Sequence, residues 1–450
     1  MYPGSNLGPA WLAARLNGRG SLEIYTGVSR LIDSGELPAG ARLPTVRELS
    51  PLLQVSSATL IEAWTRLRDE AYIETRRRGG TIVLERPGSQ GLGTHPQALA
   101  IDMSQSIARA ELQPDLQAAL LAGLKVATLH RPEREYITEA LREAVKPTWP
   151  FKPAALTTVA GGAEATFCAM AATLGDRRHI ALEHPTSPTL ITVAGELGAR
   201  ISSVPCDAEG PEPSALKAAL EAGADSFVYQ PCAQVPVGHA VSERRRSELA
   251  DVLRAYPQVK VAEIDLAGPL AVSETRSLGQ VLPDQVIYSR AYCRAFGIDL
   301  KSAVIGGAEP LVRRLIDLRC KGYTVTSRIL QTALAWLLTD ASALADLRYA
   351  RDYYAARRLA LAGALQARDV DCRAEDGLFV WVPVRQEAAA LSYLSSHGIE
   401  GSPGSRCNAG HAALAPHIRL AVTGLPENAD FVATVADVVQ QACVATAELD

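Results

Sequence analysis

Groups suited to reading a nucleic acid are concentrated in one stretch of the chain. In Val55-Ser-Ser-Ala-Thr-Leu-Ile, the residues Ser57, Ala58 and Thr59 fall in what reads as the first turn of a helix, and further on Arg76-Arg77-Arg78 runs into Gly79-Gly80-Thr81-Ile82-Val83. Small hydroxyl and methyl side chains at a helix start can approach base edges in a major groove, while guanidinium groups pair with phosphate oxygens. The elements that must hold these groups are also legible. Ile24, Val28, Leu31 and Ile32 recur at helical spacing, and Gly35 closes that stretch. Thr45 follows Pro44 as an N-cap, with Glu48 three residues later completing a capping box, so a second helix runs to about Leu53. Gln54-Val55 is a turn, Ser56 or Ser57 caps a third helix, and Gly79-Gly80 turns between two short strands. Helix, capped helix, capped helix and basic hairpin is the order of a winged helix-turn-helix.

The stretch Gly35-Glu-Leu-Pro-Ala-Gly-Ala-Arg-Leu-Pro-Thr-Val-Arg-Glu-Leu, followed by Val55-Ser56 and Gly80-Thr-Ile-Val, resembles the signature of the GntR family of bacterial transcription regulators. The resemblance implies phosphate or base contacts from Arg42, Thr45, Arg47, Ser56, Ser57, Thr59 and Gly80, beside the wing arginines Arg76, Arg77 and Arg78. One departure bears on specificity. Ser57 stands where the family often carries arginine after the turn serine, so the family's base preference does not transfer.

At 450 residues the chain far exceeds such a module, and 48% hydrophobic residues suffice for a large core. Residues 1–86 hold 11 Arg, no Lys and 9 acidic residues, a surplus of two positive charges in a chain of net charge −4. The basic balance therefore sits where a polyanion would bind. Eight cysteines lie scattered without paired short spacing, which suggests neither a disulfide framework nor a zinc site. No apolar run reaches the ~18 residues that span a bilayer, and Met1-Tyr-Pro-Gly-Ser-Asn lacks a signal pattern, so the expectation is a soluble cytoplasmic protein with no membrane partner.

Residues 87–99 are rich in glycine and proline and read as a linker. Beyond it, strand-like runs (Ala155–Ala160, His179–His184, Ile201–Pro205, Ser226–Tyr229, Val259–Ile264, Gln285–Tyr288) alternate with helical ones. This predicts an α/β domain with a mostly parallel, helix-covered sheet. After Gly307 the chain turns helical to Leu365 and ends in a smaller α/β segment holding Gly377-Leu-Phe-Val-Trp-Val-Pro and His417-Ile-Arg-Leu-Ala-Val.

This order of strands and turns resembles a fold-type I aminotransferase and, with the module in front, the MocR subfamily of GntR regulators. Gly161-Gly162-Ala163 stands where that family presents backbone N–H groups at a helix start to the phosphate of pyridoxal phosphate. Arg419 stands where it grips a substrate carboxylate. Val286-Ile-Tyr-Ser-Arg-Ala-Tyr-Cys-Arg294 resembles the strand and loop that end in the Schiff-base lysine, here Arg294. A guanidinium does not deprotonate near neutral pH and cannot exchange imines. Seven residues on, Lys301 takes the place of the phosphate-binding arginine. Ser187 replaces the ring-stacking aromatic, Val235 an asparagine, and Leu266 a tyrosine, while the acid for the ring nitrogen falls at Ile264 or, one residue on, Asp265.

The expected organisation is a winged helix-turn-helix over residues 1–86, a linker over 87–99, and an aminotransferase-like effector and dimerisation domain over 100–450. The expected function is a transcription regulator that binds a double-stranded DNA operator as a head-to-tail homodimer. It would sense a small molecule or protein partner through an anion-binding pocket of Gly162, Ala163, Arg294, Lys301 and Arg419, with no catalytic residue and no metal. No covalent cofactor is expected; non-covalent pyridoxal phosphate stays open. Two other readings stand beside this one: a pyridoxal-phosphate transferase with Lys301 as its amine, and a regulator whose large domain only dimerises.

Overall fold

The computed structural model describes residues 8–16, 20–33, 37, 41–69, 72–76, 80–84, 101–322, 325–410 and 414–446. They fall into two compact units, one within residues 1–100 together with Ser392–Glu400, the other Ile101–Leu391 with Gly401–Asp450. The expected linker, together with Gly35, Arg77, Arg78 and Gly79, lies outside the described residues.

In the first unit the helices Ser21–Asp33, Val46–Leu53 and Ser57–Asp69 enclose an apolar core, joined by a three-stranded sheet of Arg42–Leu43, Gly80–Val83 and Ile73–Arg76. The predicted stripe is what they bury: Ile24, Val28, Leu31 and Ile32 are each at most 3% exposed, and each contributes roughly 1.5–3 kcal/mol. A short helix, Pro9–Ala13, precedes them and adds Leu12 to the same core; no periodicity in the sequence marks it. The Thr45–Glu48 capping box forms, with Glu48 N–H donating to Thr45 Oγ1 (3.3 Å) and Thr45 N–H to Glu48 Oε2 (2.8 Å).

In the second unit eight strands form one sheet, in the order Ala155–Val159, Ala303–Gly307, Val286–Ala291, Lys260–Asp265, Ser226–Tyr229, His179–His184, Arg200–Asp207, Gly210–Pro211. The five from Val286–Ala291 to Arg200–Asp207 run parallel; Ala303–Gly307 is antiparallel to both its neighbours. Both faces are covered, which is why the strand sequences read as continuous apolar runs. Ala262 and Ile264 pack with Gly161–Thr173 and Glu309–Arg319 on one face, and Val261 with Pro213–Glu221 and Glu243–Arg254 on the other. A separate three-stranded antiparallel sheet has His417–Ala421 between Phe379–Pro383 and Ser402–Pro403. No described helix is long and apolar enough to cross a membrane.

The capping box gives a direct test of the first unit. Thr45→Ala removes the acceptor for Glu48 N–H and should lower the unfolding free energy of that unit by about 1 kcal/mol, read as a lower urea midpoint in far-UV circular dichroism, while Thr45→Ser should keep most of it.

Candidate functional site

At the DNA-reading end, the structure brings together most of the residues singled out in the sequence. Ser56 is the cap of the third helix: its Oγ accepts from Thr59 N–H at 3.1 Å and lies 2.8 Å from Thr59 Oγ1. Ser56, Ser57 and Ala58 are exposed and Leu60 is buried, so the helix offers its first turn outward while anchoring the next. Gln54 makes the turn in the left-handed region (φ 55°). Arg42, Thr45 and Arg47 are exposed, and among the described residues neither arginine is in an ion pair. Gly80 (φ +77°) lies under Arg42, whose Nε would be 2.7 Å from any Cβ placed there, so a side chain at Gly80 would displace that guanidinium. Arg76 ends the strand that pairs with Gly80.

In the large domain, strand register assembles the second site. Ala291 is opposite Ala303, and Ala303 opposite Val159, so the chain leaves Ala155–Val159 and Val286–Ala291, and enters Ala303–Gly307, at the same end of the sheet. The turn Ala160–Ala163, the loop Tyr292–Arg294 and the turn at Lys301 therefore meet there. Contacts bear this out: a Cβ on Gly161 (φ +87°) would lie 3.1 Å from Cys293 Sγ and 3.7 Å from the Lys301 backbone, and one on Gly162 would lie 3.1 Å from Ala291 Cβ. At the start of the helix Gly161–Thr173 the Glu164 carboxylate accepts Ala160 N–H, while the N-cap residue offers no side-chain hydrogen bond, so the N–H groups of Gly162 and Ala163 present the positive end of the helix dipole. Lys301 is exposed and adopts φ +38°.

Arg294 is partly buried and donates from one guanidinium nitrogen to Leu266 O at 2.7 Å. Its pKa is pushed down to about 10, first by burial and then by the nearby Arg419 guanidinium. Arg419 is on the central strand of the small sheet, not at an edge. Its guanidinium lies 4.6 Å over the Phe379 ring and reaches Ser402 Oγ at 3.4 Å, while Nε is buried without a partner. Burial also lowers its pKa. Among the described residues neither Arg294 nor Arg419 forms a salt bridge. Two neighbouring guanidiniums without a salt bridge, though Asp265 is near enough to act on Arg294, leave positive charge available to an anion. A cavity of about 460 Å³ lined by Arg142, Lys146, Trp149, Phe151 and Lys152 shares none of these residues.

The residues do not fit a covalently attached pyridine cofactor. Arg294 offers no imine-forming amine. Ile264 belongs to the core under the sheet, which removes it as the acid for a ring nitrogen. Asp265 is buried and already engaged: Oδ1 accepts Gly268 N–H at 2.7 Å, and Oδ2 accepts Tyr288 OH at 2.6 Å and Arg290 Nε at 3.0 Å. Ser187 caps the helix Pro188–Glu196, and Val235 packs in a core. What fits is an anion at the helix start and a second negative group at Arg294 and Arg419. The Asp265–Arg290 pair was missed in the sequence because its partners come from adjacent strands in register (Asp265 opposite Arg290).

The chain matches the family model described as "Aminotransferase class I and II" over residues 100–434 and that described as "Bacterial regulatory proteins, gntR family" over residues 21–83. It is 27% identical to the vitamin B6 salvage pathway transcriptional repressor PtsJ of Salmonella typhimurium, across 84% of this chain and 88% of that protein. It is 25% identical to the pyridoxine biosynthesis transcriptional regulator PdxR of Corynebacterium glutamicum, across 75% and 76%. The fold is also that of Pyrococcus horikoshii kynurenine aminotransferase, with a TM-score of 0.68 at 17% identity over 76% of this chain and 90% of that one.

If Asp265 serves the interior, Asp265→Asn should leave Arg290 buried opposite a neutral group and cost about 3–5 kcal/mol, read as a large fall in the thermal midpoint. A stability equal to that of the parent protein would show that Asp265 is free to face a ligand.

Proposed function

The chain belongs to the aminotransferase class I and II family, carries a gntR-type module ahead of that domain and is a MocR-type DNA-binding transcription regulator; we propose that its large domain senses a doubly anionic small molecule without Schiff-base catalysis. The observation that carries this reading is the pair Arg294 and Arg419, two neighbouring guanidiniums that form no salt bridge among the described residues, beside the helix start at Gly162 and Ala163. A phosphate would take the N–H groups at that start, with Lys301 at its rim, and a carboxylate or second phosphate would take the arginines. Because the named relatives regulate vitamin B6 salvage and pyridoxine biosynthesis, the ligand class is a phosphorylated B6 vitamer or a molecule of similar size and charge. Pyridoxal phosphate would then be a non-covalent effector; when bound it supplies an anion and an aromatic ring, and this chain's residues only hold it.

Regulation follows from differential affinity. A ligand that binds one arrangement of the protein better than another shifts the population of the arrangement that binds DNA, and by no more than that difference. The winged module supplies the DNA contacts through Arg42, Thr45, Arg47, Ser56, Ser57, Thr59 and Gly80, and through Arg76, Arg77 and Arg78 on the wing. The protein would act as a homodimer, a reading supported by the exposed Leu121 and Leu124 along and just beyond the helix Leu116–Gly123.

The test uses duplexes that the protein itself selects from a random-sequence pool, with binding followed by fluorescence anisotropy. Arg47→Ala should weaken binding and reduce the dependence on log salt concentration by about one unit of slope. Arg419→Gln should leave the affinity without ligand unchanged but remove the response to pyridoxal 5′-phosphate. A response that survives in Arg419→Gln would refute the ligand site, and equal binding by Arg47→Ala would refute the DNA site.

A further inference from the structure

Three side chains that play no part in the anion pocket or the DNA contacts converge at the carboxyl ends of two neighbouring strands. Glu183 lies near the end of His179–His184 and Cys206 near the end of Arg200–Asp207; in this parallel pair Glu183 is opposite Val204 and His184 opposite Pro205. His239 comes from the loop between Ser226–Tyr229 and Glu243–Arg254. One ligand-capable atom from each of the three lies within 4.8 Å of the other two.

His239 is 1% exposed, yet neither Nδ1 nor Nε2 has a hydrogen-bond partner. Two idle polar atoms in a buried ring carry an uncompensated desolvation cost, and native interiors rarely leave one without a reason. The loop around it is otherwise well satisfied. Gln234 N–H donates to His239 O at 3.1 Å, Gly238 N–H to Gln234 O at 2.6 Å and Val241 N–H to Pro231 O at 2.9 Å. The ring is thus held in place by its backbone, with its nitrogens left over for something else.

We propose that Glu183, Cys206 and His239 bind a divalent transition-metal ion, with zinc the best match. Imidazole, thiolate and carboxylate are its usual donors, at bonds of about 2.0–2.3 Å, which brings donor atoms to roughly 3.5 Å from one another. The cluster would close by about 1 Å at its widest separation. Calcium and magnesium prefer all-oxygen sets and are disfavoured by the sulfur and nitrogen. The two ring nitrogens of His239 are free of hydrogen-bond partners, so one can offer its lone pair to a metal. Burial and Glu183 keep the Cys206 thiol protonated in the metal-free protein, so the ion would displace that proton to solvent as the metal–sulfur bond forms. Glu183 already accepts Gln230 N–H at 3.0 Å on Oε2, and Thr186 Oγ1–H at 2.9 Å and the Gln230 side-chain amide at 2.5 Å on Oε1, donors that would fix the carboxylate while a remaining lone pair meets the ion. Water would complete the coordination. The ion would tie the loop 230–242 to the sheet, and the proposal stands whether or not the large domain senses an anion.

The experiment uses the full-length protein, stripped with a chelator, dialysed and titrated with Co²⁺ as a spectroscopic probe. A near-ultraviolet thiolate-to-cobalt band saturating at one ion per chain, displaced by Zn²⁺ and absent in Cys206→Ser, is expected. His239→Ala should weaken Co²⁺ binding at least tenfold, and Cys372→Ser, which alters a different buried thiol, should leave it unchanged. Added Zn²⁺ should also raise the thermal midpoint of the unaltered protein, a readout that needs no variant to fold. No thiolate band, a band that persists in Cys206→Ser, or a midpoint indifferent to Zn²⁺ would overturn the proposal and leave the cluster as a site for an ordered water.

Discussion

The register of one short strand governs the large domain's candidate site. Ala303–Gly307 lies antiparallel between Ala155–Val159 and Val286–Ala291, and this pairing brings the glycine turn, the Arg294 loop and the Lys301 turn to the same end of the sheet. A slip of one residue would reverse which side chains of the strand face each layer of helices. Close backbone approach pins the pairing: at Gly307 a Cβ would come within 2.2 Å of Val286 O, so only glycine allows the strands to meet there. The open end of such a sheet is where folds of this type place their ligands. Here that end carries positive charge and exposed helix N–H groups.

In the proposed reading, this scaffold uses the residues expected to serve a pyridine cofactor for other contacts. The acid nearest the expected position, Asp265, is held by Tyr288 and Arg290 inside the domain, with Arg290 lying 5.7 Å from the centre of the Trp149 ring. That cluster joins two parallel strands to the segment around Thr148, whose carbonyl accepts from Arg290 at 2.7 Å. Ser187 caps a helix, and Arg294 donates to the Leu266 carbonyl. Each of these side chains has a local structural use, which supports the proposal that the pocket works through charge and hydrogen bonding.

Much of this was legible in the sequence, for identifiable reasons. The stripe Ile24, Val28, Leu31 and Ile32, the Thr45–Glu48 box and the turn at Gln54 are local signals, set within a few residues, and all three appear as expected. The parallel strands were legible because burial on both faces gives uninterrupted apolar runs. Ala303–Gly307 was not, since five residues ending in two glycines give no periodicity, and its place depends on neighbours far away in sequence. Nor could spacing reveal Asp265 with Arg290, or Glu183 with Cys206 and His239, because each set is assembled from separate elements. A search for short cysteine spacings cannot find a ligand set of that kind.

We propose that the large domain holds an anionic ligand at Arg294 without forming an imine. The most direct measurement is intact-protein mass spectrometry after the protein is saturated with pyridoxal 5′-phosphate and treated with borohydride, with saturation followed beforehand by equilibrium dialysis. The account predicts saturable binding of one ligand per chain and a reduced protein whose mass is unchanged. A mass increase of one reduced adduct per chain, mapped by peptide sequencing to Lys301, would contradict it and make the domain a site of Schiff-base chemistry.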